Sequence, residues 1–181
     1  MAGIKWNISP IALLLAALWY FFDNEGFFAL LLPALAVHEL GHAVFLRLGG
    51  ARIRSLSFGL FGFEMDYSGC LEGLKGYAAL AAGPVFGFIY GILCQNFKSE
   101  FLNLSGGLST ALSLFNLLPV MPLDGGRILL MAAGNTGIYI SRGMAFLLLA
   151  VSGALWFVKG WFSLFFMACW LVWCNFKNTY V

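Results

Sequence analysis

The chain has 181 residues, of which 61% are hydrophobic and 10% charged, and its mean hydropathy is +0.89. A water-soluble domain carries about 25% charged residues, and one compact core of this length cannot bury so much apolar side chain, so composition points to lipid as the solvent. A net charge of +2, with no basic stripe interleaved with aromatics, argues against nucleic acid as a partner.

In chain order, Lys5 and the apolar run from Ile11 to Phe22 imitate a signal peptide. The run ends in Phe22-Asp23-Asn24-Glu25 with no small-residue cleavage site, which predicts a retained first span. Six apolar segments, roughly 8–22, 27–48, 74–95, 101–118, 138–158 and 161–176, have lengths suited to membrane helices. Lys159-Gly160 is a very tight connection between the last two. The longest stretches outside these segments, 51–73 and 119–137, leave no room for a separate soluble domain. Cys70, Cys94, Cys169 and Cys174 form no C-x-x-C pair, and the last three lie in or beside apolar runs as small hydrophobes.

The 51–73 segment does not read as a helix. Phe61, Phe63, Met65 and Tyr67 alternate with Gly62, Glu64, Asp66 and Ser68, the period of a half-buried strand. Arg52 to Phe58 is β-prone, and Gly59 with Gly62 supplies a turn. The expected fold is an all-α polytopic membrane protein with about six transmembrane helices and a short membrane-associated β-hairpin, forming a single domain over 1–181.

Basic residues orient it. With the N-terminus in the cytoplasm, Lys5, Arg47, Arg52, Arg54, Lys75, Arg127, Arg142 and Lys177 fall inside, and Lys98 and Lys159 outside. That bias follows the positive-inside rule. Both termini, the end of the second span and the segments 51–73 and 119–137 then face the cytoplasm.

His38 and His42 are four residues apart on a predicted helix, so both imidazoles share one face. This spacing lets two nitrogens hold one zinc ion at about 2.0–2.1 Å. Glu39 is placed to take a proton from an attacking water as general base. They are the chain's two histidines, and an acid within an apolar span is functional by default. A third protein ligand is required. The remaining acids are Asp23, Glu25, Glu64, Asp66, Glu72, Glu100 and Asp124. Asp124 is favoured because it follows Pro119 and Pro122, precedes Gly125-Gly126, whose access to φ > 0 permits a sharp turn, and falls on the same membrane side as His42. The alternative is an Asp that merely caps a helix starting near Gly126.

The segment Asn116-Leu117-Leu118-Pro119-Val120-Met121-Pro122-Leu123-Asp124-Gly125-Gly126 resembles the N-x-x-P-x-x-P-L-D-G motif of site-2 proteases, the zinc proteases of intramembrane proteolysis. His38-Glu39-Leu40-Gly41-His42 is similar to the family's H-E-x-G-H, and Ala82-Gly83-Pro84 to its A-G-P. The resemblance runs from 38 to 126, within a catalytic core of about 27–135, and is nearest to the compact, sporulation-protease-like type. It implies His38, His42 and Asp124 as ligands of one Zn2+ per chain, Glu39 as the catalytic acid/base, and Asn116 as an aid in holding the substrate carbonyl or oxyanion.

Ala79, Gly83, Gly87 and Gly91 recur every four residues, a face that admits a close helix neighbour. The expected neighbour is the His38–His42 helix; self-dimerisation through that face is the alternative. Ser109, Ser113 and Asn116 share a face of the fourth span. An intramembrane protease must extend its substrate, and an open strand can accept it by β-addition. Phe61, Phe63, Glu64 and Met65 are therefore the candidate substrate-binding residues, with a strand that only anchors the loop as the alternative. The resulting expectation is hydrolysis of a membrane-anchored protein in or near its transmembrane segment, releasing a cytoplasmic fragment, by a multi-pass protein of the cell membrane. A regulatory membrane partner or a homo-oligomer is left open. The rival function is a catalytically silent membrane protein that binds clients without cutting them. A prenyl-protein-processing type of protease needs a downstream Glu ligand, and no acid follows Asp124.

Overall fold

Apolar runs bounded by Gly, Pro and acidic residues become helices, and the aromatic–polar alternation becomes strands. The computed structural model describes residues 5–59, 62–69 and 73–177. Their order is β1 (Lys5–Ile8), α1 (Pro10–Phe22), α2 (Phe27–Leu48), β2 (Arg52–Gly59), β3 (Gly62–Ser68), α3 (Leu74–Cys94), α4 (Glu100–Asn116), α5 (Asp124–Ala133), α6 (Asn135–Lys159) and α7 (Phe162–Lys177).

The fold is mostly helical, with a small sheet. Three of the described helices, α2, α3 and α6, are long and apolar enough to cross a membrane, each spanning about 30 Å or more at 1.5 Å per residue. Helices α1 and α7 are apolar but shorter, and α4 has 17 residues. On α1 only Ala12 is buried, while Leu13, Leu14, Leu18, Trp19 and Phe22 are exposed. A helix apolar on every side and bare of protein cover belongs in lipid.

The chain divides into two compact units, Met1–Leu114 and Phe115–Val181, the boundary falling inside α4. In the first unit the hairpin β2–β3 is antiparallel, from Arg52 opposite Ser68 to Gly59 opposite Gly62, with an irregularity between Ile53 and Ser55. The sequence reading missed β1, which pairs parallel to β2 with Lys5 opposite Ser55. The omission has a physical cause: four exposed residues carry no burial pattern, and their strand character comes from the partner. In the order β1-β2-β3, β3 is an outer strand. Met65 packs with Phe45 onto Leu46, Ala51 and Ala79, which seats the sheet on the ends of α2 and α3.

The small-residue face of α3 meets two neighbours rather than one. A Cβ at Gly83 would run into the His42 ring on α2. At Gly87 it would meet Ser109 and Ser113 on α4, and at Gly91 it would meet Thr110 and Gly106. Helix α4 exploits this closeness. Ser109 Oγ donates to Gly87 O at 3.0 Å, and Ser105 Oγ donates to Leu30 O on α2 at 2.8 Å while standing 3.1 Å from Tyr90 OH. Such interhelical bonds contribute about 0.6 kcal/mol each on average in membranes; together they hold α2, α3 and α4 in one register.

In the second unit Val120, Leu123, Ala145 and Leu171 form the core. The segment expected to be free of spanning structure, 119–137, contains α5, and α6 starts at Asn135 rather than near 138. The tight α6–α7 link is as expected: Gly160, at φ 73, caps α6 by donating its N–H to Trp156 O at 2.8 Å. Only glycine adopts that conformation without strain.

Candidate metal centre

His38 and His42 project from the middle of α2. His38 is 4% exposed, and Glu39 and His42 are half-buried. The ring of His42 is held from α3, where Nδ1 donates to Ala79 O at 2.8 Å. Because a carbonyl only accepts, this bond fixes the proton on Nδ1 and leaves Nε2 as a lone pair. That Nε2 stands 3.2 Å from Nε2 of His38, with the ring planes at 78°.

These two distances test whether the pair suits a metal. Two nitrogens bound to zinc at about 2.0–2.1 Å and at a tetrahedral angle lie about 3.3 Å apart, close to the separation observed. A ligating histidine characteristically donates its other ring N–H to a carbonyl or carboxylate, as His42 does. The pair therefore fits one shared divalent cation without rearrangement.

Gly83 makes room for this arrangement, since a methyl there would fall on Nε2 of His42 and within 2.6 Å of Cε1 and 2.7 Å of Cδ2. From the other side, a Cβ at Gly41 would lie 2.5 Å from Ala82 O. The Ala82-Gly83-Pro84 sequence and the glycine of His38-Glu39-Leu40-Gly41-His42 thus have one steric explanation: α2 and α3 touch backbone to backbone beside the imidazoles. The sequence singled out Ala79 and Gly83 as small residues, but not the Ala79 carbonyl as the group that selects the tautomer.

Asn116 and Asp124 belong to the second unit. Asn116, half-buried, is the last residue of α4. Asp124 is 8% exposed and is the first residue of α5. The N-cap position falls on Leu123, not on Asp124, so the capping alternative lacks its geometry. A carboxylate in the first turn of a helix is favoured by the helix dipole, yet its burial demands further compensation. The glycines that follow serve a different purpose from the one expected: neither has positive φ. Instead a Cβ at Gly125 would strike the Leu117 and Leu118 backbone, and one at Gly126 the Val120 and Met121 backbone. Close approach, not a left-handed turn, requires glycine there.

Of the four substrate-binding candidates, Phe61 lies outside the described residues, while Phe63, Glu64 and Met65 lie on β3. Met65 faces the core cluster.

Comparison with known proteins gives a consistent result. The family model for peptidase family M50 matches residues 93–158, a stretch that holds Asn116 and Asp124 but not α2. The chain is 33% identical over 128 residues to Rip3 of Mycobacterium tuberculosis, covering 62% of this chain and 32% of that protein. It is 27% identical over 169 residues to sll0528 of Synechocystis, covering 75% and 44%. Both carry zinc metalloprotease names, and the chain spans less than half the length of either. The fold is shared with a site-2 protease from Methanocaldococcus jannaschii, at a TM-score of 0.69 and 22% identity over 100% of this chain and 93% of that one. Motifs, relatives and fold point the same way: the chain is similar to peptidase family M50 over residues 93–158 and to two proteins carrying zinc metalloprotease names, and it shares the fold of a site-2 protease.

Proposed function

We propose that this chain is a zinc-dependent intramembrane endopeptidase, with His38, His42 and Asp124 as the metal ligands. The observation that carries the reading is the His38–His42 pair, with its Nε2 atoms 3.2 Å apart and the His42 tautomer set by Ala79 O. Zinc, when bound, lowers the pKa of water to about 7 and polarises a carbonyl. Glu39, one residue from His38 and half-buried, takes the proton of the attacking water and returns it to the leaving amine. Asn116, at the end of α4, donates to the substrate carbonyl as negative charge develops there. Asp124 completes the ligand set with a negative charge, which the buried imidazoles alone do not supply. Zinc analysis of the purified protein tests this. The wild type should retain one zinc per chain, and Asp124→Ala should lose at least 90% of it; full zinc content in that variant would remove Asp124 from the ligand set.

The substrate is a membrane-anchored protein cut in or near its transmembrane segment, with release of a cytoplasmic fragment. The excess of Lys and Arg on the side of the 51–73 and 119–137 segments supports a cell-membrane orientation with both termini and the active site towards the cytoplasm. In this reading α1, α4 and α7 cross as well, giving six spans. Their shortness is met by tilted neighbours and local thinning of the bilayer. Both units form one catalytic domain.

The outer strand β3 receives the substrate as an added strand. With Met65 turned to the core, main-chain groups supply the binding. Proline at Gly62 or Glu64 should lower cleavage by about tenfold or more, because proline removes a ladder N–H, while leaving zinc content unchanged. Cleavage at wild-type rate in both variants sinks the strand-addition reading.

A further inference from the structure

Met121 lies in the connection between α4 and α5, three residues before Asp124. Three N–H groups of this connection pair locally: Leu118 N–H with Phe115 O, Val120 N–H with Leu118 O, and Leu123 N–H with Val120 O. Pro119 and Pro122 have no N–H to place. Met121 is treated differently. Its N–H donates to Ser141 Oγ on α6 at 2.8 Å, and its carbonyl accepts from Asn175 Nδ2 on α7 at 2.7 Å. The Ser141 hydroxyl donates in turn to Asn175 Oδ1 at 2.6 Å, and Nδ2 also donates to Leu171 O at 2.9 Å.

These bonds use every donor of one hydroxyl and one amide, and they close a ring through the Met121 residue. The amide can face only one way, since reversal would set Oδ1 against two carbonyl oxygens. Ser141 is 1% exposed, Asn175 2% and Met121 5%, so water cannot replace a lost partner. Non-helical backbone at this depth is tolerated only when protein satisfies it. On its other side the same connection is pressed by Gly125 and Gly126, where any Cβ would overlap it. An apolar pair of equal size on α6 and α7 would fill the space equally well, yet it would leave both Met121 groups without partners.

We propose that Ser141 and Asn175 are positioning residues for the metal centre: by clamping Met121 they fix where the Asp124 carboxylate stands, and so govern zinc affinity from two helices that carry no ligand. This inference rests on the reading of Asp124 as a ligand.

The test uses the full chain in detergent, with Ser141→Ala, Asn175→Leu and, as reference, Asp124→Ala. Zinc affinity is measured by chelator competition, the unfolding midpoint on metal-free protein, and coordination by the visible spectrum of the cobalt(II)-substituted form. Ser141→Ala and Asn175→Leu should each weaken zinc binding about tenfold, the lower end for outer-shell partners of metal sites. Their cobalt bands should move in position and intensity, which a loss of fold stability alone would not cause. Wild-type zinc affinity and cobalt spectrum in both variants, with zinc lost in Asp124→Ala, overturn the clamp alone. Zinc held at wild-type affinity by Asp124→Ala overturns the ligand reading and the clamp's role with it. Should both clamp variants fail to fold, amide exchange on the wild type decides. Linkage is reciprocal, so zinc should slow exchange at Met121 more than at the amides of α6, and equal slowing overturns the proposal.

Discussion

Glu39→Gln should reduce cleavage of a membrane-tethered substrate by about 10²–10⁴-fold, the contribution typical of a general base, with zinc content unchanged. Glutamine keeps the length and hydrogen-bonding reach of the side chain but cannot accept a proton. Glu39 follows His38 on α2 and is half-buried, while the His42 imidazole is held against Ala79 and Gly83 of α3. The substitution therefore leaves the nitrogen pair untouched. The measurement is turnover of a reporter in proteoliposomes beside metal analysis of the same preparation. Turnover within tenfold of wild type, with zinc present, removes Glu39 from the reaction.

Gly83→Ala should be nearly as damaging, through a different route. The added methyl overlaps the metal-facing edge of the His42 ring. The ring cannot simply swing aside, because its Nδ1 is bonded to Ala79 O one turn earlier on the same helix. The helices cannot separate cheaply either, since Gly41 lies against the Ala82 carbonyl and Ser105 and Ser109 tie α4 to α2 and α3. Overpacking of this kind costs about 1–3 kcal/mol. Displacing Nε2 from its place beside His38 should also weaken zinc binding at least tenfold, since the 3.2 Å separation is what allows both nitrogens to reach one ion. Gly107→Ala is the control: nothing lies within 4 Å of its Cβ position, and alanine favours the helix by about 0.8–1.0 kcal/mol. Unfolding midpoints and zinc content of the two variants should diverge. Wild-type zinc content in Gly83→Ala would mean that the His42 geometry has slack which the close packing denies.

Elements with strong internal periodicity were legible in the sequence. Helices α2 and α3 match the expected bounds to within a residue, and the β2–β3 hairpin lies where aromatic and polar residues alternate. Elements defined by a partner were not legible. Strand β1 is four exposed residues whose only structural reason is the β2 edge. Helix α5 stood in the sequence only as the alternative start near Gly126, because Gly125 and Gly126 read as a turn, whereas their absent side chains serve close packing within a helix. Ser141 and Asn175 carried one signal, polar groups within apolar spans, but residues 34 apart give no hint that they share a bond.

By itself the sequence determined the solvent, the two imidazoles on one helix face, the adjacent carboxylate and the family to compare with. All of these follow from composition, from a 3.6-residue period or from contiguous motifs. The tertiary structure alone decided that Ala79 O selects the His42 tautomer, that Gly83 leaves room for the ring, that the α3 small-residue face is shared between α2 and α4, and that Met121 is clamped from α6 and α7. Each of these depends on how closely two backbones approach. Period reports which residues share a face, but the separation of two helices is set by the side chains both of them lack, and no single stretch of sequence contains both.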